Sequence, residues 1–362
     1  MATIDVSIIS SAHDLADARL HREAAALRRA GLSVEVIGLG DSAGGPAGCR
    51  VVSLGGRAGK AARLRRAAAL PFRARGRVLL AVDPDVVLTA SLARLVRRRK
   101  LVADVHEDYS ALLHDRAWAR SYVKLAAQGL VRVATAVTRR ADLTVVADDH
   151  VPPRKARRRL VVRNLPDPGY LPKPTEPDPI PRAIYIGDVR RSRGLQAMIQ
   201  AVEAAEPWEL DVVGPVHPDD QAWLARWRAS SPAARRVRIH GRLAPAKAWS
   251  LAAGAWVGLA LLEDTPAFRA AIPTKLYEYL GSGLAVLATP LPRMAEIVRS
   301  SGAGAVVAGP EEASGTLQRW SERPEDFLAA RKAALRWAEQ NLAGESPYDQ
   351  LARDICALVG RG

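Results

Sequence analysis

The segment LPDPGYLPKPTEPDPIPR, residues 165–182, constrains the fold of this chain more than any other. Its seven prolines remove backbone donors and fix φ, so neither a helix nor a sheet strand can run through it. The same pattern repeats on either side. Short apolar, β-branched runs alternate with stretches whose apolar residues recur every three or four positions. Ahead of the prolines, strands are expected at 4–10, 34–39, 77–82, 101–105, 143–147 and 160–163, and helices at 16–31, 91–99 and about 115–140. After them, strands are expected at 183–186, 210–213, 237–240, 257–262 and 285–288. Helices are expected at 195–204, 222–229, 247–253 and 274–280, with a helical tail beyond about 324 that is interrupted at 344–347. Strands separated by crossover helices pair in parallel and are covered on both faces. The expected fold class is α/β, with two doubly wound parallel-sheet (Rossmann-like) domains facing a cleft. Ligands of such sheets sit beyond the carboxyl ends of the strands.

Composition narrows the class. The 362 residues are 48% hydrophobic, enough for two cores. The start, MATIDVSIIS, has no basic segment of the kind that opens a signal peptide, and no apolar run approaches the roughly 20 residues of a membrane span. Cys49 and Cys356 form neither a zinc nor a disulfide pattern, and a cytoplasmic location is the expectation. The net charge of +15 is unevenly spread. Residues 51–77 hold eight basic side chains and no acidic one; Arg97–Lys100 and 154–159 form further clusters. A polyanionic partner and a solvated surface are both compatible with these clusters. Nucleic acid is not expected, because only Phe72 interrupts the first cluster.

The stretch IPTKLYEYLGSGLAVLATP, 272–290, carries the chemistry. Pro273 and Thr274 suit the first turn of a helix, and Thr can cap it. Such a helix start attracts phosphate. Leu276, Tyr279 and Leu280 are expected toward the core, with Lys275 and Glu278 on the other side. Lys275 can pair a phosphate, and Glu278 can accept hydrogen bonds from a ribose diol. The alternative is a plain i,i+3 surface pair worth about 0.2–0.5 kcal/mol.

This segment resembles the nucleotide-sugar-binding segment of retaining GT-B glycosyltransferases of family 4, with its Pro-x-Lys-x-x-Glu-Tyr, a glycine and an apolar strand. YIGDVRRSRGLQAMIQAV (185–202) resembles that family's strand, basic loop and helix, and DVHEDY (104–109) its Asp-x-His-Glu segment. DLADARLHREAAALRRAGLSVEVI resembles the first helix, and VVRNLPD the strand before the hinge. The resemblance implies a GT-B architecture: an acceptor-binding domain at 1–168, a hinge at 169–182, a nucleotide-sugar domain at 183–340, and a C-terminal helix at 341–362 that crosses back to the first domain. It implies transfer of a sugar from a nucleotide diphosphate sugar to an acceptor hydroxyl, with retention, and with no metal and no cofactor beyond the donor substrate. The donor would be held by Gly187, Arg191, Gly214, Ala271, Ile272, Pro273, Thr274, Lys275 and Glu278, with Glu278 on the ribose. Arg193 and Arg190 would neutralise the departing diphosphate, and His106 would lie beside the reacting sugar. Asp17, Arg19, Glu107 and Asp108 would meet the acceptor.

Two departures from the family pattern stand out. Asp188 occupies the place of the usual first arginine, and Ala270 that of the first of two paired glutamates. Backbone amides of 268–272, or Glu263 or Asp264, would have to replace that glutamate. The sequence leaves the acceptor open between a lipid-linked glycan, a phospholipid and a small metabolite. Residues 59–77 read as a basic amphipathic segment on the inner face of an anionic membrane, or as a solvated helix and loop. Three rival readings remain. Asp83-Pro84-Asp85 after a strand resembles the metal-binding Asp-x-Asp of GT-A glycosyltransferases. A Rossmann dehydrogenase lacks support, because SIISSAHDLADAR has no Gly-x-Gly-x-x-Gly turn. A nucleic-acid-binding protein rests on charge alone.

Overall fold

A computed structural model describes residues 3–56, 59–109, 121–166, 171–243 and 245–360. The chain divides into two units, Met1–Asn164 with Glu345–Gly362, and Leu165–Gly344.

The first unit is built on a seven-stranded parallel sheet in the order β3-β2-β1-β4-β5-β6-β7. The strands are β1 (Val6–Asp14), β2 (Val34–Leu39), β3 (Arg50–Ser53), β4 (Val78–Ala81), β5 (Lys100–Val105), β6 (Leu143–Val146) and β7 (Arg159–Val161). The helices are α1 (Ala18–Arg29), α2 (Lys60–Arg73), α3 (Pro84–Arg97), α4 (Ser121–Thr138) and the C-terminal helix Pro347–Val359. Central strands such as VLLA of β4 are buried on both faces, which is why they read as continuous apolar runs. The Asp17 carboxylate caps α1 by accepting from the Arg19 and Leu20 amides, and Gly31, at φ 79°, follows its end. The C-terminal helix packs Tyr348, Leu351 and Ile355 against Leu20, Ala24 and Leu27 of α1.

Several sequence expectations need correction here. β1 runs four residues past Ser10, to Asp14, because its polar end is bonded into the sheet's carboxyl edge. The helix expected at 91–99 starts at Pro84, the favoured first position after Asp83. Within the basic stretch 51–77, β3 and α2 form; α2 tolerates Pro71 in its last turn. The helix expected from about 115 is described from Ser121, its earlier part lying outside the described residues.

The second unit has a six-stranded parallel sheet in the order β10-β9-β8-β11-β12-β13. Its strands are β8 (Arg182–Ile186), β9 (Glu209–Val213), β10 (Val237–Gly241), β11 (Val257–Ala260), β12 (Ala285–Ala288) and β13 (Gly304–Val306). Its helices are α5 (Leu195–Glu203), α6 (Pro218–Ser230), α7 (Pro245–Ser250), α8 (Pro266–Ala270), α9 (Thr274–Gly281), α10 (Pro292–Ser301), α11 (Pro310–Glu322) and α12 (Pro324–Leu342). The described part of the proline segment lies on this unit: the Asp178 amide donates to Gly254 O at 2.8 Å and its carbonyl accepts from Trp256 Nε1 at 2.8 Å. Residues 167–170 of the expected hinge lie outside the described residues. β13, α8, α10 and α11 were not expected; short, Gly- and Pro-flanked runs such as Gly304–Val306 give little periodicity to read.

Strand order reverses between β1 and β4 in the first sheet and between β8 and β11 in the second. At such points the flanking connections leave to opposite faces and open a crevice at the carboxyl ends. Both clusters of functional side chains lie there.

Candidate active site

In the second unit, β8 ends at Gly187, whose φ is 145°. A Cβ there would lie 2.9 Å from Lys275 Nζ, and a Cβ on Gly214 would lie 1.8 Å from Gly187 O. Only glycine permits this approach of backbone and lysine. Lys275 is correspondingly buried, at 6% exposure, and does not share an outward face with Glu278 as expected from the sequence. Its ammonium lies 3.5 Å from the Tyr185 ring centroid, and Nζ has no hydrogen-bond partner. Burial, and then the nearby Arg193 charge, hold its pKa well below the usual lysine value; Glu278 and Asp188 work against this. Leu276, Tyr279 and Leu280 face the core as expected, and Tyr277 joins them, stacked on Trp337.

The basic loop follows Gly187. The Asp188 carboxylate pairs with Arg190 Nη2, and the Asp188 carbonyl accepts from Tyr185 OH at 2.7 Å. Arg191 Nε lies 3.4 Å from Glu263 Oε1. The Arg193 guanidinium lies 6.0 Å from the Phe268 ring centroid. Nε of Arg190 and Nε of Arg193 are buried without a hydrogen-bond partner. Gly194 ends the turn, where a Cβ would lie 2.1 Å from Leu261 O. Three buried cationic donor atoms thus converge around Tyr185 and Gly187 with their hydrogen-bonding capacity unmet, an arrangement that suits an anion.

Helix α9 starts differently from expectation. Pro273 is its N-cap, without a side-chain cap bond, and Thr274 is its first residue. Ala271 is exposed and extended, and Ile272 packs partly on the core. Of the substitutes proposed for the missing glutamate, Asp264 is tied to Arg269 at 2.6 Å and Glu263 to Arg191. The Phe268 amide donates to Thr265 Oγ1 at 3.3 Å and the Arg269 amide to Thr265 O at 2.9 Å. These groups are therefore committed within the protein.

In the first unit, the carboxyl ends of β1, β4 and β5 bring together His13, Asp83, Asp104 and His106. The Asp83 carboxylate accepts from Ser10 Oγ at 2.6 Å, the Ser11 amide at 2.7 Å and the Ala12 amide at 3.2 Å, and lies 3.1 Å from His13 Nδ1. Burial works to raise its pKa, but these bonds win and hold it down at about 2. For His13 burial works downward, and Asp83 overcomes it to raise the pKa above the usual imidazole value. Asp85 is held by Arg63 Nε at 2.9 Å. Both aspartates of the Asp83-Pro84-Asp85 run are thus engaged by protein donors, and the two parallel sheets are those of the GT-B fold rather than of the GT-A rival.

The ring of His106 meets that of His13 edge-on at 5.0 Å, and its Nε2 lies 2.6 Å from Asp104 Oδ2. Arg19 is a buried partner of Asp104, not an acceptor-facing group: Nε and Nη2 bond its two oxygens at 2.8 and 2.7 Å. Asp17 is the helix cap described above. Burial would raise the Asp104 pKa, but Arg19 and His106 hold it well below the usual range; buried Glu23, beside Asp104, is pushed well above it. Among the described residues, Glu23, Asp104 and His106 form the one group of three such side chains close enough to share a metal ion, and the Arg19 guanidinium already supplies positive charge there. Next to them lies a small, open recess lined by Val82, Val105, Tyr109 and Pro152 with Glu107 and Asp108. The sequence reading missed His13, Asp83 as its partner, and Glu23. Only the sheet order brings residues so far apart in sequence together.

Comparison with known proteins places the chain. Residues 180–322 match the family model described as glycosyl transferases group 1. No curated protein sequence matches significantly. Among solved structures, sucrose-phosphate synthase from Thermosynechococcus elongatus is similar with a TM-score of 0.75 and 14% identity over 99% of this chain and 100% of that one. HepE of Anabaena, solved in complex with UDP, has a TM-score of 0.70 and 15% identity over 98% of this chain and 100% of that one. WaaG, a glycosyltransferase involved in lipopolysaccharide biosynthesis, has a TM-score of 0.66 and 14% identity over 97% and 99%. The likeness over the whole chain shows the GT-B fold, and within it residues 180–322 of the second unit carry the match to the glycosyl transferases group 1 model.

Proposed function

We propose that the chain transfers a hexose-type sugar from a nucleoside diphosphate sugar, with UDP as the first nucleotide to try, to an acceptor hydroxyl. The observation that carries this reading is the group of three unpartnered cationic atoms on Arg190, Arg193 and Lys275, beside Gly187 at the reversal point of the second sheet. A diphosphate satisfies all three. Glu278, one turn into α9, takes the ribose hydroxyls. The complex of HepE with UDP supports a uridine donor by analogy of fold. Acceptor groups come from the first unit: His106, with Glu107 and Asp108 at the recess.

The reaction proceeds with retention and without metal. The bond from the anomeric carbon to the diphosphate breaks while the acceptor oxygen bonds that carbon on the same face. The acceptor proton passes to the departing phosphate oxygen, and the arginines stabilise the negative charge that develops. A second reading is favoured by the His13–Asp83 pair. An imidazole backed by a carboxylate can take the acceptor proton as a general base, and attack then comes from the opposite face with inversion. Proton NMR of the product formed from an α-linked donor separates the two: an α product supports retention and a β product supports His13 as base. Release of nucleoside diphosphate should fall about a hundredfold or more in Arg193→Ala. An unchanged rate in that variant contradicts the assignment of the diphosphate site. The enzyme is expected in the cytoplasm; no described helix is long and apolar enough to cross a membrane.

A further inference from the structure

Seven of the nine exposed large hydrophobic side chains among the described residues lie on three helices of the first unit. α3 packs between α2 and α4. On α3, Leu92, Leu95 and Val96 are 60%, 75% and 75% exposed, while Val86, Val87, Ala90 and Ala93 of the same helix are buried. α4 adds Leu130 and Val133, and α2 adds Leu64 and Phe72, the last with the Arg97 guanidinium 6.0 Å from its ring centroid. The inward side of α3 already fills the core, so folding of this unit gives the outward leucines no work. The charge on the same helices is one-signed. Neither α2 nor α4 contains an acidic residue, and the single acid of α3, Asp85, is buried against Arg63. Exposed Arg65 and Arg73 on α2, Arg97 and Arg98 at the end of α3, and Arg132 on α4 border the apolar positions.

We propose that this face of α2, α3 and α4 docks on an anionic lipid bilayer, the aliphatic side chains entering the interface and the arginines meeting lipid phosphates. Apolar side chains with a cationic border are what such a surface selects. A second copy of this chain is disfavoured, because a face without acids would set cations against cations. Nucleic acid is disfavoured because the exposed apolar groups are aliphatic except Phe72, and stacking requires rings. The sequence placed a basic amphipathic segment at 59–77; the structure moves the centre of the patch to α3 and extends it to α4. This inference does not depend on the glycosyl-transfer reading.

Vesicle flotation of the full chain tests it, with phosphatidylcholine alone and with phosphatidylcholine mixed with phosphatidylglycerol. The protein should float with the mixed vesicles only, and less so as salt rises. Leu95→Glu should abolish flotation, and Arg65→Gln with Arg97→Gln should weaken it about fivefold per charge removed. These side chains are exposed, so thermal melts of the variants should match the parent and exclude misfolding. No flotation with mixed vesicles overturns the proposal, as does equal flotation of Leu95→Glu, which would reduce the effect to diffuse charge attraction. A parent that sediments as a dimer, disperses on Leu95→Glu and ignores vesicles identifies the face as a protein interface and overturns it too.

Discussion

Lys275→Met separates the stability of the protein from its affinity for the donor. In the free protein the Lys275 ammonium is buried without a hydrogen bond, which costs about 1–3 kcal/mol. Its position over the Tyr185 ring offsets at most about 2 kcal/mol of this. A methionine side chain keeps the length and fills the same space beside Gly187 without a charge. The variant should therefore be as stable as the parent at neutral pH, or up to about 1 kcal/mol more stable, by urea unfolding. Nucleoside diphosphate affinity should fall by about 1.5–3 kcal/mol, roughly ten- to hundredfold, the range for a hydrogen bond to a charged group. The pH dependence has a definite sign. The folded-state pKa of Lys275 lies well below the unfolded value. Between the two, the unfolded chain binds the extra proton, so the parent gains stability as pH rises through that window, and Lys275→Met flattens the slope. A diphosphate beside Gly187 favours the protonated form of Lys275, so nucleoside diphosphate affinity should depend on pH more steeply in the parent than in the variant. A destabilisation above about 1 kcal/mol with unchanged affinity and unchanged pH dependence of binding would make Lys275 a packing residue and refute this reasoning.

Three further outcomes follow from the first unit. The shift of Asp83 from the ordinary carboxylate value to about 2 corresponds to roughly 2 kcal/mol, present above about pH 4 and lost as pH falls toward 2. The raised pKa of His13 adds stability below about 6.5 that is lost as pH rises through its folded value, so Asp83→Asn should destabilise more at about pH 5.5 than at about pH 8.5 by urea unfolding. Asp104→Asn leaves Arg19 a buried charge with half its partner removed, and should lower stability by about 3–5 kcal/mol; a loss under about 1 kcal/mol would show the pair to be dispensable. Leu351→Ala opens a cavity where the C-terminal helix meets α1 and should cost about 2–5 kcal/mol in the same measurement.

The sequence revealed what local pattern controls. Continuous apolar strands such as 78–81, the core face of Leu276, Tyr279 and Leu280, and the proline break were all readable, because each depends on neighbours along the chain. Tertiary placement was not readable. Lys275 looked solvent-facing by helical spacing; it is buried because Gly187, remote in sequence, leaves room for it. Arg19 looked like a cleft residue and is a core ion pair, since its partner Asp104 lies on a strand brought alongside by the sheet order. His13 and Asp83 gave no joint signal, because His13 lies in β1 and Asp83 just after β4, strands that meet only in the folded sheet. The cationic apolar face needs α2, α3 and α4 side by side, and periodicity within one helix cannot show that.

The central claim, that a nucleoside diphosphate binds at Gly187, Arg193 and the start of α9, is tested most directly by calorimetric titration of the intact protein with UDP, GDP, TDP and ADP in EDTA, repeated with Glu278→Ala. One nucleotide should bind tightly without metal and lose about tenfold or more in the variant, the worth of a hydrogen bond to a charged group. Binding of none, or binding untouched by Glu278→Ala, would leave the GT-B fold in place and contradict the assignment of this site.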